Sequence, residues 1–292
     1  MATDSNYYVP EQSKLPIIMA AGLGLVAVGA ASWVGGGSAM MFLAGSLVLG
    51  LTFYSWFSTV IRENMAGMNS EQLKRSYVWG ISWFIFSEVM FFAAFFGALF
   101  YVRMLAVPWL GSELESDLLW NGFEAAWPLM TTPDMAVAGD AAKFKGPEAL
   151  VDPWHLPLYN TIILLTSSIT VHFAHTALKK DNRKGFNTWL AITVALGVLF
   201  LFFQVEEYIE AYQELGLTLE SGIYGTTFFL LTGFHGAHVT LGTFMLFIQL
   251  LRGLKGHFTH DDAFGFEASS WYWHFVDVVW VGLFIFVYVL GS

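Results

Sequence analysis

Seven stretches of about 20 residues run almost free of charge through this chain, and that is the length a helix needs to cross a bilayer. They lie at about 17–34, 40–61, 79–102, 158–178, 189–209, 222–251 and 270–290. Composition points to the same medium. Only 12% of the 292 residues are charged and 56% are hydrophobic, with 28 Phe, 12 Trp and 11 Tyr, whereas soluble domains carry about 25% charged residues. The expected fold is therefore an all-α membrane protein with seven transmembrane helices. Zero Cys excludes disulfides, thiolate metal sites and CxxCH-type haem attachment. A net charge of −10 gives no reason to expect nucleic acid as a partner. The start, MATDSNYYVPEQSKLP, has no basic region and is broken by Pro10 and Pro16, so it does not read as a signal peptide.

Charge between the spans sets an orientation. Lys14, Arg62, Lys74, Arg75, Lys179, Lys180, Arg183, Lys184, Arg252 and Lys255 fall on one side, and only Arg103, Lys143 and Lys145 fall on the other. The positive-inside rule makes the first side cytoplasmic, which puts the N-terminus inside and the C-terminus outside. The connection at about 103–157 is long and acidic, with Glu113, Glu115, Asp117, Glu124, Asp134, Asp140, Glu148 and Asp152. No spacing in it suits a metal, so it reads as a solvated external cap.

A carboxylate inside a span needs a reason. Glu88 stands in SEVMFFAAFF, about nine residues or roughly 13 Å into the third span. Its neighbours one turn away are Phe84, Ile85, Phe91 and Phe92, so its own helix offers no cation. Those surroundings favour the neutral acid. It serves either as a proton-exchanging or partner-contacting carboxyl, or as a neutral acid bonded to a carbonyl on the next helix. His274 and Asp277 share a helical face, as an ion pair, a relay or a satisfied buried pair. His172/His175 and His235/His238 repeat the i, i+3 spacing. They can hold a haem or metal if a second helix contributes, which keeps a membrane b-type cytochrome open, or they hydrogen-bond between helices. Glu206, Glu207 and Glu210 read as a solvated interfacial cluster. Arg62 ends the second span about two turns after Tyr54, Trp56 and Phe57, and Arg252, Lys255 and His257 follow the sixth. They suit anionic lipid head groups, or plain positive-inside anchoring.

The blocks WGISWFIFSEVMFF, PLYNTIILLTSSITVHFAHTAL, GIYGTTFFLLTGFHGAHVTLGT and FGFEASSWYWHFVDVVW resemble cytochrome c oxidase subunit III. The resemblance runs through spans 3 to 7 in order and, more weakly, over the first two. The YYVP start and the acidic loop resemble a bacterial, proteobacterial-type member. This implies a two-helix N-terminal unit (residues 1–78) separated by a lipid-filled cleft from a five-helix bundle (79–292). It implies no haem or copper in this chain, with both in partner subunits: a haem-copper catalytic subunit I and a copper-bearing subunit II. Cytochrome c would be the electron donor to the complex. Glu88 matches the family's buried helix-3 glutamate, known for its reaction with a hydrophobic carbodiimide. Arg62, Arg252, Lys255, His257 and the region of Trp56 match positions that contact structural phospholipids. No catalytic residue and no metal ligand is expected here. The implied role is an accessory subunit of a respiratory oxidase in a bacterial inner membrane, supporting proton uptake and the stability of the catalytic subunit.

Departures from the pattern are local. Phe57 stands where many members have a second tryptophan, and Asp261 and Asp262 stand where histidines are common. A quinol oxidase subunit is the near alternative, but such relatives lack the first two helices. A proton-coupled transporter using Glu88 is a further one, though no inverted repeat is evident.

Overall fold

The computed structural model describes residues 12–68, 70–112, 119–259 and 262–291. The YYVP start, Glu113, Glu115, Asp117 and Asp261 lie outside them. Among the described residues there is no strand, and seven helices are long and apolar enough to cross a membrane. They are α1 (Leu15–Val34), α2 (Met40–Met65), α3 (Glu71–Tyr101), α4 (Leu156–Lys179), α5 (Arg183–Gln213), α6 (Gly222–Leu254) and α7 (Phe264–Leu283). The chain forms two compact units, Met1–Gly80 and Ile81–Ser292, divided within α3.

In the first unit, α1 and α2 form a hairpin with almost no buried side chains. Its buried positions are Gly22 and Gly29 of α1, and Gly45 and Thr52 of α2. A Cβ on Gly29 would collide with the Phe42 backbone, and one on Gly45 would lie 2.7 Å from the Val26 nitrogen. The two backbones touch, as small residues allow where lipid gives no hydrophobic drive to association.

α3 begins about two turns earlier than hydropathy suggests. EQLKRSYV is too polar to read as membrane-spanning, yet Ser70 Oγ accepts from the Leu73 N–H (3.2 Å) and Glu71 sits in the first turn. Cap and dipole together start the helix there. Likewise α5 starts earlier than its expected span, because Asn182 Oδ1 caps it by accepting from Gly185 N–H (2.9 Å), and it runs on to Gln213.

The second unit has an aromatic core. Trp273, Trp280, Tyr272, Phe200, Phe228 and Phe266 are fully enclosed. Trp273 lies on two glycines of other helices: a Cβ on Gly242 of α6 would meet it at 2.8 Å, and one on Gly197 of α5 at 3.0 Å. Its indole N–H donates to Ser167 Oγ of α4 (2.9 Å), and that of Trp280, two turns on, donates to Thr161 Oγ1 (2.9 Å).

The long loop is a packed cap as well as a solvated one. Phe123, Leu129 and Val151 are buried in the core, and Trp127 stands edge-on to Tyr224 of α6. One of its acids is structural: Asp134 Oδ2 accepts from the N–H groups of Lys143 (2.6 Å) and Phe144 (3.0 Å).

Candidate functional site

The bundle's polar chemistry sits in pairs that link helices far apart in sequence. Glu88 of α3 meets His238 of α6, with Oε2 to Nε2 at 2.9 Å. The other ring nitrogen, Nδ1, lies 2.6 Å from the Phe234 carbonyl. A carbonyl only accepts, so Nδ1 carries a proton. The contact between Nε2 and the carboxyl then needs one shared proton. It is either a neutral histidine accepting from a carboxylic acid, or an imidazolium donating to a carboxylate. Phe92 stands edge-on to the imidazole and Tyr272 lies parallel to it.

Glu88 has no cation on its own helix, and its partner on another helix is a histidine ring instead of a backbone carbonyl. A scan of its own helix could not find a histidine 150 residues away. Nor is Glu88 fully enclosed by this chain: its side chain is 23% exposed, because the flanking face of α3 (Phe84, Phe86, Val89, Met90) points outward.

The other histidines are distributed as follows. His235 is buried on α6 and bonds the Val276 carbonyl of α7 through Nε2 (3.2 Å). His274 Nδ1 of α7 lies 2.8 Å from Ser168 Oγ of α4 and 3.5 Å from Asp277 Oδ2. Of that last pair only Asp277 is buried; His274 is 43% exposed. His175 Nε2 of α4 meets Glu267 Oε1 of α7 at 3.1 Å, while His172 faces outward beside Phe173. No group of three metal-binding side chains occurs among the described residues.

The expected lipid residues differ in setting. In the first unit Trp56 is 37% exposed, and Arg62 is exposed with Nη2 on Thr59 Oγ1 (3.2 Å). In the second, Arg252 turns inward and is buried. Its guanidinium stacks on Phe258 (4.6 Å) and donates to Gln249 Oε1 (3.1 Å). Lys255 is exposed and His257 partly so. Partial burial, and then the charges of Arg252 and Lys255, hold the His257 imidazole below its ordinary pKa.

The whole chain matches one family model, Cytochrome c oxidase subunit III, over residues 5–117 and 118–292. The chain belongs to the cytochrome c oxidase subunit III family. It is 38% identical to cytochrome c oxidase subunit 3 of Latimeria chalumnae over 287 residues, which is 98% of this chain and 97% of that protein. It is 37% identical to the Drosophila melanogaster protein over the full length of both chains, and 36% identical to that of Equus caballus over 98% of this chain and 97% of its relative. As a member of that family it is a multi-pass membrane subunit of an oxidoreductase complex of the respiratory chain, and the other subunits of the oxidase are its partners.

Sequence reading of this subunit III chain missed three participants. Glu267 and Ser168 gave no signal, since their partners lie 92 and 106 residues away. Glu207 was misplaced. It is 1% exposed, and its Oε1 accepts from the Tyr288 hydroxyl (2.6 Å), whereas Glu206 is exposed. The signal was available. Leu190, Thr193, Gly197, Phe200, Gln204 and Glu207 repeat at alternating steps of three and four, which puts Glu207 on the buried stripe of α5.

Proposed function

We propose that this chain is the non-catalytic, lipid-binding accessory subunit of a cytochrome c oxidase. It supports proton uptake and the stability of the catalytic subunit while electrons pass from cytochrome c to oxygen. The observation that carries this reading is where the histidine nitrogens point. His175, His235, His238 and His274 each bond a group on another helix of the same bundle. Such bonds tie helices together, and in His175, His235 and His238 they engage Nε2, the nitrogen through which histidine commonly holds a haem. Haem and copper then belong to the partners, a haem-copper catalytic subunit I and a copper-bearing subunit II. In this reading Glu88 ties α3 to α6 and holds one proton with His238. Arg252 shapes a basic rim from inside, and Lys255 and His257 present it to anionic phospholipid head groups, as do Trp56 and Arg62 in the first unit. The basic ends of the helices face the cytoplasm and the long loop the periplasm of a bacterial inner membrane.

Co-purification tests the reading. A tagged chain should bring down larger subunits that hold all the haem and copper. Stoichiometric haem retained by the chain alone would overturn it in favour of a b-type cytochrome.

A further inference from the structure

α4 and α5 form an antiparallel hairpin, and each carries a buried stripe. Set side by side in antiparallel order, the two buried stripes pair Leu178 with Phe186, Val171 with Thr193 and Leu164 with Phe200. The spacing alternates between three and four on both helices, the knobs-into-holes repeat. Two contacts fix the register: Thr170 and Thr193 share a hydrogen bond (2.8 Å), and the rings of Phe173 and Trp189 are 5.0 Å apart. Continued by the same steps, the register sets Asn160 opposite Gln204, and Pro157 opposite Glu207 one layer on.

This end of the seam is polar and its hydrogen bonding is incomplete. Asn160 is 0% exposed, Glu207 1% and Gln204 6%. Asn160 Nδ2 and Oδ1, Gln204 Oε1 and Glu207 Oε2 have no hydrogen-bond partner within the protein. The side chains of α5 cannot turn to serve them. Gln204 Nε2 is committed to the Thr232 carbonyl (3.1 Å), and Glu207 Oε1 to the Tyr288 hydroxyl (2.6 Å). Buried polar groups left this way carry their full desolvation penalty, and native proteins rarely accept several together.

We propose that the Asn160–Gln204 layer is a buried water-binding site, in which one or more water molecules bridge the two amides and the Glu207 carboxyl. The atoms that need partners select the ligand. Three are oxygens, which a cation could serve, but the fourth is an N–H donor, which a cation repels. An anion would serve the donor and oppose the oxygens. Water both donates and accepts, and a buried water makes about three hydrogen bonds. The same water gives the Glu207 carboxyl a hydrogen-bonded neighbour beyond Tyr288.

The test uses the assembled oxidase. A cryo-EM map sharp enough to show ordered water should hold density within hydrogen-bonding range of the Asn160 side chain and of Gln204 or Glu207. Direct Asn160–Gln204 bonding with nothing between would overturn the proposal. So would density ringed by oxygens alone that changes when sodium is exchanged for potassium. Radiolytic labelling in 18O water gives an independent reading. Tyr288 is 1% exposed and contacts Glu207, so its labelling reports internal water. The wild-type complex should label Tyr288, and Asn160→Leu should lower that label several-fold. An unlabelled wild-type Tyr288, or a label that Asn160→Leu leaves unchanged, would contradict the site.

Discussion

The two units of this chain solve helix association in different ways. α1 and α2 come together through glycines, and the side-chain hydrogen bonds described along them stay within one helix. The bundle fills its interior with aromatic rings and ties its helices by indole–hydroxyl and histidine–carboxyl bonds. The first arrangement depends on the absence of volume, and the second on hydrogen-bonding partners. They should therefore fail under different substitutions.

The largest effect is expected where volume is forbidden. Gly29→Leu drives a side chain into the Phe42 backbone, which cannot yield as a side chain would, and should cost about 3 kcal/mol of α1–α2 association. Gly24→Leu, on the same helix with open space at its Cβ, should cost almost nothing. Subunit recovery in the purified complex and protease resistance of the α1–α2 hairpin would compare the two. Equal behaviour of the variants would remove the glycine account.

Next comes loss of a polar tie. Glu88→Ala leaves His238 Nε2 without its partner, at about 1–3 kcal/mol. His238→Leu leaves the carboxyl in the same position. Thermal stability of the assembled complex should fall by a similar amount in either single variant and little further in the double variant, because both remove one interaction. Full additivity would mean that the two side chains do not act as a pair.

The basic rim should respond more weakly. Lys255→Ala removes an exposed charge and should lower retention of anionic lipid by about 1 kcal/mol, read by mass spectrometry of co-purified lipid. Arg252→Ala also removes the support under Phe258, so it should reduce stability as well as lipid. Unchanged lipid in the double variant would refute the lipid site.

The smallest effect is one of pH. His257 titrates lower in the folded chain than when unfolded, so the folded state binds fewer protons. Its contribution to stability is complete above the ordinary histidine pKa and declines as pH falls through that value toward the folded one. An anionic head group favours the protonated ring, so lipid retention should rise as pH drops from about 7 to about 5. His257→Asn should flatten that rise.

Much of this was legible in advance, and the reason is period and length. Seven apolar runs of bilayer length declare seven helices whatever their packing. Polar helix ends were lost, as at Glu71–Val78, because a cap such as Ser70 makes helix without making hydropathy. Pairings were lost for a different reason. Glu88 and His238 each look isolated on their own helix, and only the packing of α3 against α6 reveals them as one group. Glu207 was hidden by company. It sits beside Glu206 in sequence, but at about 100° per residue it points to the core while Glu206 points out.

In the proposed function Glu88 ties α3 to α6 and does not carry the oxidase's protons. Turnover of an assembled Glu88→Gln oxidase tests it most directly. Glutamine can still donate to His238 Nε2, so the tie survives while the exchangeable proton is gone. The expected result is nearly unchanged electron transfer to oxygen, with at most a small loss in proton pumping. Near-complete loss of activity in a complex that retains every subunit would contradict it and make Glu88 an obligatory proton carrier.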